Sequence, residues 1–332
     1  MIVLESIFGK VTDRVPVAPL INLGHSSKLS GIKPLEYLLD SERYAQAQIH
    51  AREYYGYDWV WAHQFFGAVT GKEREGVEFS SDHAILTLEL GVKYKVFPQG
   101  QPQLVKSAVS SSKELKELKI PVPDEERMSP IRLMQEEDFV CGNMRCPFTL
   151  ASTFLYDLES FLLAMKTDEA SAYEFLDFAL EYCTQYAKAQ VDAGADALYV
   201  EDPAASGSVI SPGDYRKFAL PYEKALIDEI QVPVIFHICG DVKQILGDMI
   251  ATGADCISVD EVMDIVQVHE HTAVWGNVSP ALLVDGSKEE VRRASEAVVR
   301  LQDKVVLSSG CVVPANANGD NIKEMVRVAN ES

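Results

Sequence analysis

Residues 232–241 of the chain read Val-Pro-Val-Ile-Phe-His-Ile-Cys-Gly-Asp. The apolar, partly β-branched start of this stretch predicts a buried strand. His237 and Cys239 follow two residues apart, and because side chains alternate along a strand, we expect both to project to the same side. Gly240 ends the predicted strand, and Asp241 is placed to cap a following helix. The stretch therefore predicts a strand that ends in two metal-capable side chains, as at the rim of an active site.

The composition of the chain is that of a large globular protein with an acidic surface. Hydrophobic residues make up 47% of the 332 residues, which is enough for an extensive core. The formal net charge of -20 argues against nucleic acid or an anionic membrane surface as a partner. It also disfavours a polyanionic substrate, unless Arg and Lys side chains cluster locally.

The amino terminus and the cysteines indicate the cellular compartment. The start Met-Ile-Val-Leu-Glu has neither a basic region nor a long apolar run, so we expect no secretory signal. No segment reaches the roughly 18 uninterrupted apolar residues of a membrane span. Six cysteines are too few for a disulfide framework in a chain of this length. We predict a cytoplasmic protein with reduced thiols and no membrane attachment, and the sequence leaves its oligomeric state open, a homo-oligomer included.

Predicted strands and helices alternate along nearly the whole chain. We predict strands at residues 15–22, 59–66, 143–150, 197–202, 232–239, 256–261, 273–277 and 304–311. Helical patterns cover residues 34–55, 157–165, 168–193, 215–230, 242–251, 288–301 and 320–329. No Gly-x-Gly-x-x-Gly follows an early strand, which disfavours a dinucleotide-binding fold. The alternation predicts an α/β protein consisting of a single (β/α)8 TIM barrel over residues 1–332.

One segment departs from this alternation of strands and helices. Between Leu86 and Val96, apolar and polar residues alternate with a period of two, which is typical of a strand with one exposed face. We predict an antiparallel β-hairpin excursion over residues 77–97, inserted after the second strand. Gly91 is expected to mark a bulge or bend within it.

Metal-capable residues collect at the ends of the predicted strands. The active sites of such barrels lie at the carboxyl ends of the strands. His237, Cys239 and Cys311 all lie at such ends, and one imidazole with two thiolates suits zinc with a fourth position left open. A His-x-Cys pair alone is a weak signal, and the third residue, Cys311, is what makes zinc an expectation. We expect the remaining cysteines to be small buried residues: Cys141, Cys146, Cys183 and Cys256.

Four other polar residues at predicted strand ends are weaker candidates. Glu201 and Asp202 end the fourth strand, and His25 and His63 follow the first and lie in the second. A lone histidine is more often a packed, hydrogen-bonded residue than a ligand. We therefore assign these four residues to a substrate pocket at most.

Beyond these residues, the sequence resembles a known family. Residues 237–241, with Cys311 later in the chain, are similar to the His-x-Cys…Cys zinc motif of corrinoid-dependent methyltransferases, which belong to the uroporphyrinogen decarboxylase superfamily. Residues 147–151, Pro-Phe-Thr-Leu-Ala, resemble the Gly-Pro-Phe-Thr-Leu-Ala strand of that superfamily, although Cys146 replaces the glycine. The resemblance covers nearly the whole chain and is strongest from about residue 143 to the end.

The resemblance implies methyl transfer between a small molecule and the cobalamin of a separate corrinoid protein. It implies zinc at His237, Cys239 and Cys311, where the ion binds a thiol acceptor or activates a methylated donor such as a methyl ether or amine. Family members carry a carboxylate or its amide at the position of Glu261, which implies an exchangeable fourth ligand. Glu201 is the rival, although a carboxylate that holds a histidine N–H is the more ordinary role for it. The chain has no cobalamin-binding Asp-x-His-x-x-Gly, so the corrinoid is expected on a partner protein.

Three other functions compete with methyl transfer. A decarboxylase of the same superfamily is expected to have an Arg-Gln-Ala-Gly-Arg segment after the first strand and a catalytic aspartate at the end of the second. Here residues 22–28 contain no arginine, and residues 63–66 contain no carboxylate. A non-catalytic barrel stapled by zinc would need four fixed ligands, and a zinc hydrolase would favour histidine-rich ligation. The identity of the methylated substrate, the direction of transfer and the corrinoid-protein interface stay open.

Overall fold

The computed structural model of the protein describes residues 2–63, 70–98, 102–123, 125–137 and 139–332. The strands in these residues are, in chain order, β1 Val60–His63, β2 Glu78–Phe79, β3 Ala84–Thr87, β4 Lys93–Val96, β5 Gln103–Lys106, β6 Val140–Arg145, β7 Ala197–Glu201, β8 Val234–His237, β9 Cys256–Ser258, β10 Ala273–Val278 and β11 Val305–Ser309. Seven of them form a parallel sheet in the order β1-β6-β7-β8-β9-β10-β11. The other four form an antiparallel sheet in the order β2-β3-β4-β5.

Helices connect the parallel strands, and most of them are short. The α-helices span Ile2–Ile7, Leu23–Ser30, Pro34–Leu39, Ser41–Tyr55, Gly71–Glu75, Ser112–Leu115, Ser129–Leu133, Pro147–Thr149, Leu158–Thr167, Glu169–Asp192, Pro212–Asp214, Leu220–Glu229, Leu246–Ile250, Ile265–His269, Pro280–Asp285, Lys288–Val299 and Gly319–Asn330. The π-helical turns Leu150–Leu155 and Tyr215–Ala219 continue two of them. The predicted α/β alternation is confirmed.

Two predicted helices differ from the observed ones at an aspartate that bonds to the backbone just after it. The segment 34–55 holds two helices, since the Asp40 carboxylate accepts the backbone N–H groups of Glu42 and Arg43 and starts a new helix there. The helix predicted from residue 242 begins only at Leu246. Asp241 does not cap it: its Oδ1 accepts from the Lys243 backbone N–H at 3.0 Å and closes a turn instead.

The parallel sheet curls around a set of aromatic side chains. Trp59 beside β1 packs on Trp275 of β10 with ring centroids 4.9 Å apart, although these strands are far apart in the sheet order. Trp61 and Tyr199 complete the cluster with centroids 5.7 Å apart. All four rings are almost fully buried. Because large rings fill the inside of the curl, space for a ligand is confined to the ends of the strands.

The described residues do not form the predicted eight-stranded barrel, because the first predicted strand is missing. The first predicted strand, residues 15–22, contributes only an isolated parallel bridge between Val17 and Leu307 of β11. On its other side, the Val17 carbonyl accepts from the Asp58 backbone N–H at 2.8 Å, just before β1. Pro16 and Pro19 have no N–H to donate, which prevents a regular ladder. The segment thus lies between the two edges of a seven-stranded curled sheet without being a strand.

The predicted hairpin excursion is part of a larger antiparallel sheet. Its β3–β4 hairpin buries the Leu86 and Tyr94 side chains, as the alternation predicts. The reversal occurs in a single turn at Glu89–Gly91, where Gly91 has φ of 81°. The Glu89 carboxylate accepts from the hydroxyls of Tyr182 and Tyr186 on the long helix Glu169–Asp192. These hydrogen bonds fasten the antiparallel sheet to the long helix that precedes β7.

No single helix in the described residues is long and apolar enough to cross a membrane. One bent pair, Pro147–Leu155 with Leu158–Thr167, meets the length and composition criteria together, with a bend of 114° at its break. Phe148, Leu150 and Phe161 of this pair are buried in the core of the protein.

Candidate metal centre

His237 and Cys239 lie where β8 ends. The strand stops at His237, and Gly240 with φ of 81° turns the backbone away. This turn leaves the Cys239 Sγ 3.2 Å from His237 Nε2, so the two side chains project to the same side, as predicted. The loop is held from both flanks: Ser206 Oγ donates to the Cys239 carbonyl at 2.8 Å, and the Gly240 N–H donates to Asp260 Oδ2 at 3.0 Å.

The orientation of the His237 ring is set by Ser258 at the end of the neighbouring strand β9. His237 Nδ1 lies 3.2 Å from both the carbonyl oxygen and the Oγ of Ser258. A carbonyl only accepts, so Nδ1 carries the hydrogen and Nε2 is left with a lone pair facing Cys239. The Tyr199 hydroxyl lies 2.8 Å from Ser258 Oγ and extends the chain of hydrogen bonds. The expectation that Glu201 would hold a histidine N–H is wrong for His237, whose Nδ1 faces Ser258.

Cys311 follows β11 and is positioned by the segment near residue 20. The Leu20 N–H donates to Ser309 Oγ at 3.1 Å, and the Val313 N–H donates to the Leu20 carbonyl at 2.9 Å. These two hydrogen bonds bracket Cys311 on both sides in sequence. The amino-terminal segment therefore holds the loop that carries the third candidate ligand.

His25 also helps to hold the loop that carries Cys311, through a contact with Pro314. The Pro314 carbonyl can only accept, so His25 Nδ1, 3.3 Å away, donates to it, and Nε2 faces the Tyr55 hydroxyl at 2.8 Å. The side chain is 5% exposed, and burial lowers the pKa of His25, which favours the neutral ring. Both ring nitrogens are thus engaged within the protein.

His237, Cys239 and Cys311 form one cluster. Their ligand atoms all lie within 4.8 Å of one another, and this is the metal-capable group found in the described residues. The hydrogen bond from Cys239, together with His237, lowers the pKa of Cys311 to about 5. The same hydrogen bond, with burial, raises the pKa of Cys239. One nitrogen and two sulfurs at this spacing fit a zinc ion, which would replace the proton between the sulfurs and leave further positions open.

Glu261 lies beside the cluster but is not one of its three members. Its carboxyl hydrogen-bonds to Asp260, and this contact, followed by burial, raises the pKa of Glu261 to about 7. Burial acts against ionisation of Asp260, but hydrogen bonds from Glu261 and the Gly240 N–H outweigh it and lower the pKa of Asp260. The Glu261 side chain lies against Gly310, next to Cys311. The two carboxyl groups therefore lie side by side at the edge of the cluster, and ionisation of Asp260 is favoured over that of Glu261.

Glu201 forms an ion pair with Arg145, a residue that the sequence did not single out. Arg145 Nη1 donates to Glu201 Oε2, and Asn143 Nδ2 donates to Glu201 Oε1 at 2.9 Å. The Glu201 charge raises the pKa of Arg145 against the opposing effect of burial. The sequence predicts a strand over residues 143–150 with Arg145 inside it, whereas β6 ends at Arg145, so no strand-end signal in the sequence marks this residue. Its pairing depends on the register of β6 and β7, which a single sequence does not reveal.

Asp202 lies in a separate buried group. Its Oδ1 accepts from the backbone N–H of Thr149 at 2.8 Å and from the Thr149 hydroxyl at 2.5 Å. Burial raises the pKa of Asp202 to about 6 and that of its neighbour Glu223 well above the usual value. Both side chains are fully buried. This group anchors the Pro-Phe-Thr segment rather than lining the mouth.

The remaining sequence predictions concern a histidine and the other cysteines. His63 ends β1, and its side chain lies outside the described residues. The cysteines expected to be small buried residues are all buried: Cys141, Cys146, Cys183 and Cys256.

The fold and the cluster together define an α/β protein with one histidine and two cysteines, a set capable of holding a metal ion, at the carboxyl ends of a curled parallel sheet. The model of the family described as "Uroporphyrinogen decarboxylase (URO-D)" matches residues 2–332. The chain therefore belongs to the uroporphyrinogen decarboxylase family.

Relatives within this family include named methyltransferases. The "Methylcobamide:CoM methyltransferase MtbA" of Methanosarcina acetivorans is 33% identical over 244 residues, 69% of this chain and 71% of the relative. The "Methylated-thiol--coenzyme M methyltransferase" of Methanosarcina mazei is 32% identical over 197 residues, 57% of this chain and 52% of the relative. A solved structure, "methyltransferase from Methanosarcina mazei", superposes with a TM-score of 0.82 at 23% identity, over 99% of this chain and 97% of that one. The last likeness establishes the fold.

Proposed function

We propose that the protein is a zinc-dependent methyltransferase that moves a methyl group between a small molecule and the cobalamin of a separate corrinoid protein. The observation that carries the proposal is the cluster of His237, Cys239 and Cys311, whose ligand atoms lie within 4.8 Å of one another. Relatives at 33% identity that are named for methyl transfer from a methylcobamide support it.

Each of the three residues has a defined part in holding the ion. His237 presents Nε2 because Ser258 takes its Nδ1 hydrogen. Cys239 and Cys311 supply thiolates from two loops that are held by independent hydrogen bonds. A zinc ion in this site would lower the pKa of a bound thiol and polarise a bound heteroatom. Two thiolates balance the charge of the ion, so a third sulfur bound there would stay electron-rich and nucleophilic.

Glu261 is the proposed exchangeable fourth ligand. Its carboxyl group lies at the edge of the cluster beside Gly310 and is exposed, so a change of side-chain rotamer suffices to bring it to the ion or away from it. Replacing a carboxylate by a thiolate leaves the charge of the site unchanged. Asp260, hydrogen-bonded to Glu261, is placed to hold that carboxyl group when it is not a ligand.

Two alternatives remain distinct from this proposal. A decarboxylase would need cations for its acidic substrate, and residues 22–28 contain no arginine. A structural zinc staple would need four fixed ligands, whereas the cluster in the described residues has three. A ligand shell that changes when substrate is added separates methyl transfer from both.

Metal content and a spectroscopic ligand count test the proposal. The purified protein is expected to hold one zinc per chain with a mixed nitrogen–sulfur shell, and Cys239→Ala and Cys311→Ala are each expected to lose it. Cys256→Ala is the matched control, because Cys256 is a fully buried cysteine outside the cluster. Demethylation of methylcobalamin, followed by its absorption spectrum with candidate thiols, then measures activity. A wild-type protein that neither holds nor takes up zinc would refute the proposal.

A further inference from the structure

Arg145, Glu201 and His237 form one row of side chains at the mouth of the sheet. In the strand register, Arg145 of β6 pairs with Glu201 of β7, and Glu201 pairs with His237 of β8. Paired residues of neighbouring parallel strands project to the same side. The ion pair between Arg145 and Glu201 therefore stands directly beside the metal cluster, where the rest of a bound substrate would lie.

Both oxygens of Glu201 are engaged by fixed partners. Oε2 accepts from Arg145 Nη1, and Oε1 accepts from Asn143 Nδ2 at 2.9 Å. Asn143 is fully buried, and its Nδ2 also donates to the Tyr199 carbonyl at 2.9 Å. The carboxylate is thus held in place by two side chains and compensates the charge of the guanidinium.

The other charged groups close to the cluster are acidic. Asp260 accepts from the Gly240 N–H at 3.0 Å, next to Cys239, and Glu261 lies against Gly310, next to Cys311. Lys28 on the helix Leu23–Ser30 and Lys243 after β8 are exposed cations, and Lys243 Nζ lies 3.8 Å from the Asp241 carboxylate. Arg145, by contrast, stands in the row of register-paired side chains that contains His237.

We infer that the substrate of this protein carries no anionic group, and that Glu201 is the residue that determines this specificity. The inference rests on the proposed function, because it concerns the tail of a molecule whose heteroatom reaches the cluster. Glu201 forms an ion pair with the Arg145 guanidinium, which could otherwise pair with a sulfonate, carboxylate or phosphate group of the substrate. An anionic tail would have to share Arg145 with Glu201 and lie near Asp260 and Glu261. Like charges at such distances repel in a partly buried site, whereas a neutral or cationic tail meets no such opposition.

Two thiols that differ only in the charge of the tail test the inference directly. 2-Mercaptoethanol and 2-mercaptoethanesulfonate (coenzyme M) share a two-carbon chain, and both can bind a metal through sulfur. Binding is measured on the cobalt(II)-substituted full-length protein, from the thiolate-to-metal absorption band and by titration calorimetry. For the wild type, the Kd of the neutral thiol is expected to be at least about tenfold lower than that of the anionic thiol. Equal or tighter binding of the sulfonate would overturn the inference.

The variant Glu201→Gln tests whether Glu201 is the residue that determines the specificity. Glutamine keeps the size of the side chain and an oxygen for Asn143 but removes the charge, so Arg145 becomes available to an anionic tail. In this variant the affinity for the sulfonate should rise about tenfold relative to the wild type, and the affinity for the neutral thiol should change little. Glu137→Gln is the matched control, because it removes a carboxylate from another arginine pair, Arg52–Glu137 at 3.0 Å, located just before β6. This control should keep the wild-type preference.

The outcomes separate this inference from the proposed function. A wild-type protein that takes up no metal refutes the proposed function and the inference with it. A protein that takes up metal and prefers the anionic thiol refutes the inference alone. A folded Glu201→Gln variant with the wild-type preference removes Glu201 as the determinant. The wild-type comparison is decisive even if that variant does not fold.

Discussion

Gly310 is the residue at which the loops of Glu261 and Cys311 meet. A Cβ atom at this position would lie 2.6 Å from the Glu261 backbone nitrogen and 3.1 Å from its Oε2. Gly310→Ala must therefore displace Glu261, and we expect it to lower the free energy of unfolding by about 1–3 kcal/mol. The zinc shell should keep one nitrogen and two sulfurs but lose the carboxylate oxygen. Denaturant unfolding and X-ray absorption spectroscopy measure the two effects.

Gly247→Ala is the control for this substitution. Gly247 lies in the helix Leu246–Ile250, and a Cβ there meets nothing within 4 Å. Alanine in a helix should leave the protein as stable as the wild type or slightly more stable. A Gly310→Ala protein with wild-type stability and an unchanged zinc shell would contradict the role given to the contact.

His25 supports the Cys311 loop through Pro314 and should influence how firmly the metal is held. His25→Leu removes the donor to the Pro314 carbonyl and the acceptor for Tyr55, and we expect zinc to dissociate about tenfold faster. His25→Gln should restore most of the wild-type rate, because an amide supplies one donor and one acceptor like the neutral imidazole. Zinc release to a chromogenic chelator, together with alkylation of Cys311 followed by mass spectrometry, measures the effect.

Gln48→Leu is the matched control for His25→Leu. Gln48 is 1% exposed, and its Nε2 donates to the Tyr37 hydroxyl at 2.8 Å and to Ser26 Oγ at 3.4 Å, so the variant also removes buried hydrogen bonds, one of them to a tyrosine. It does not touch the Cys311 loop. If both leucine variants released zinc equally fast, the effect of His25 would be one of general stability.

At the scale of elements, Glu324 joins the last two helices of the chain. Its Oε1 accepts from Arg292 Nε at 2.8 Å on the helix Lys288–Val299, and its carboxylate accepts from Arg327 on its own helix. The hydrogen bond from Arg327, followed by that from Arg292, lowers the pKa of Glu324 from 4.5 to about 2. The helix pair is therefore held by a charge that acid removes.

The depressed pKa determines the direction of the pH effect. The ionised Glu324 stabilises the folded state fully above its unfolded pKa of 4.5, and this contribution is lost as the pH falls toward about 2. Glu324→Gln should lower stability at neutral pH by about 1 kcal/mol and flatten the acid limb of the stability curve. Denaturant unfolding at a series of pH values from neutral pH down toward 2 measures this dependence of the free energy of unfolding on pH. Glu331→Gln, which removes the exposed pair with Arg327, should keep the wild-type acid limb.

At the scale of the whole molecule, metal binding should contribute to stability. The cluster joins loops after β8 and β11, which are far apart in sequence and come together only in the folded state. A ligand that binds only the folded state adds about 2.7 kcal/mol when its free concentration is about 100 times its Kd. We expect a strong chelator to lower the melting temperature of the wild type and of Cys256→Ala. Cys311→Ala should melt lower from the start and show no response to the chelator in scanning calorimetry.

Much of the candidate site could be predicted because it rests on local patterns. Side-chain alternation predicted that His237 and Cys239 face the same way, and their nitrogen and sulfur lie 3.2 Å apart. The position of Cys311 after a strand indicated that it would reach the same mouth, since the carboxyl ends of parallel strands meet there. The partners of Glu201 could not be predicted, because a single sequence contains no information on which neighbouring side chains donate hydrogen bonds to a carboxylate.

The sequence by itself determined the α/β class, the approximate positions of the parallel strands and the three candidate metal ligands, because these follow from periodicity and from the chemistry of residue types. Only the tertiary structure decided that residues 15–22 bridge the two sheet edges without forming a strand. This outcome depends on which neighbouring strands Pro16 and Pro19, which have no N–H to donate, lie against. It also decided that Arg145 is paired by Glu201 beside the cluster. Contacts between strands depend on register and on the curl of the sheet, and these are properties of the whole folded chain.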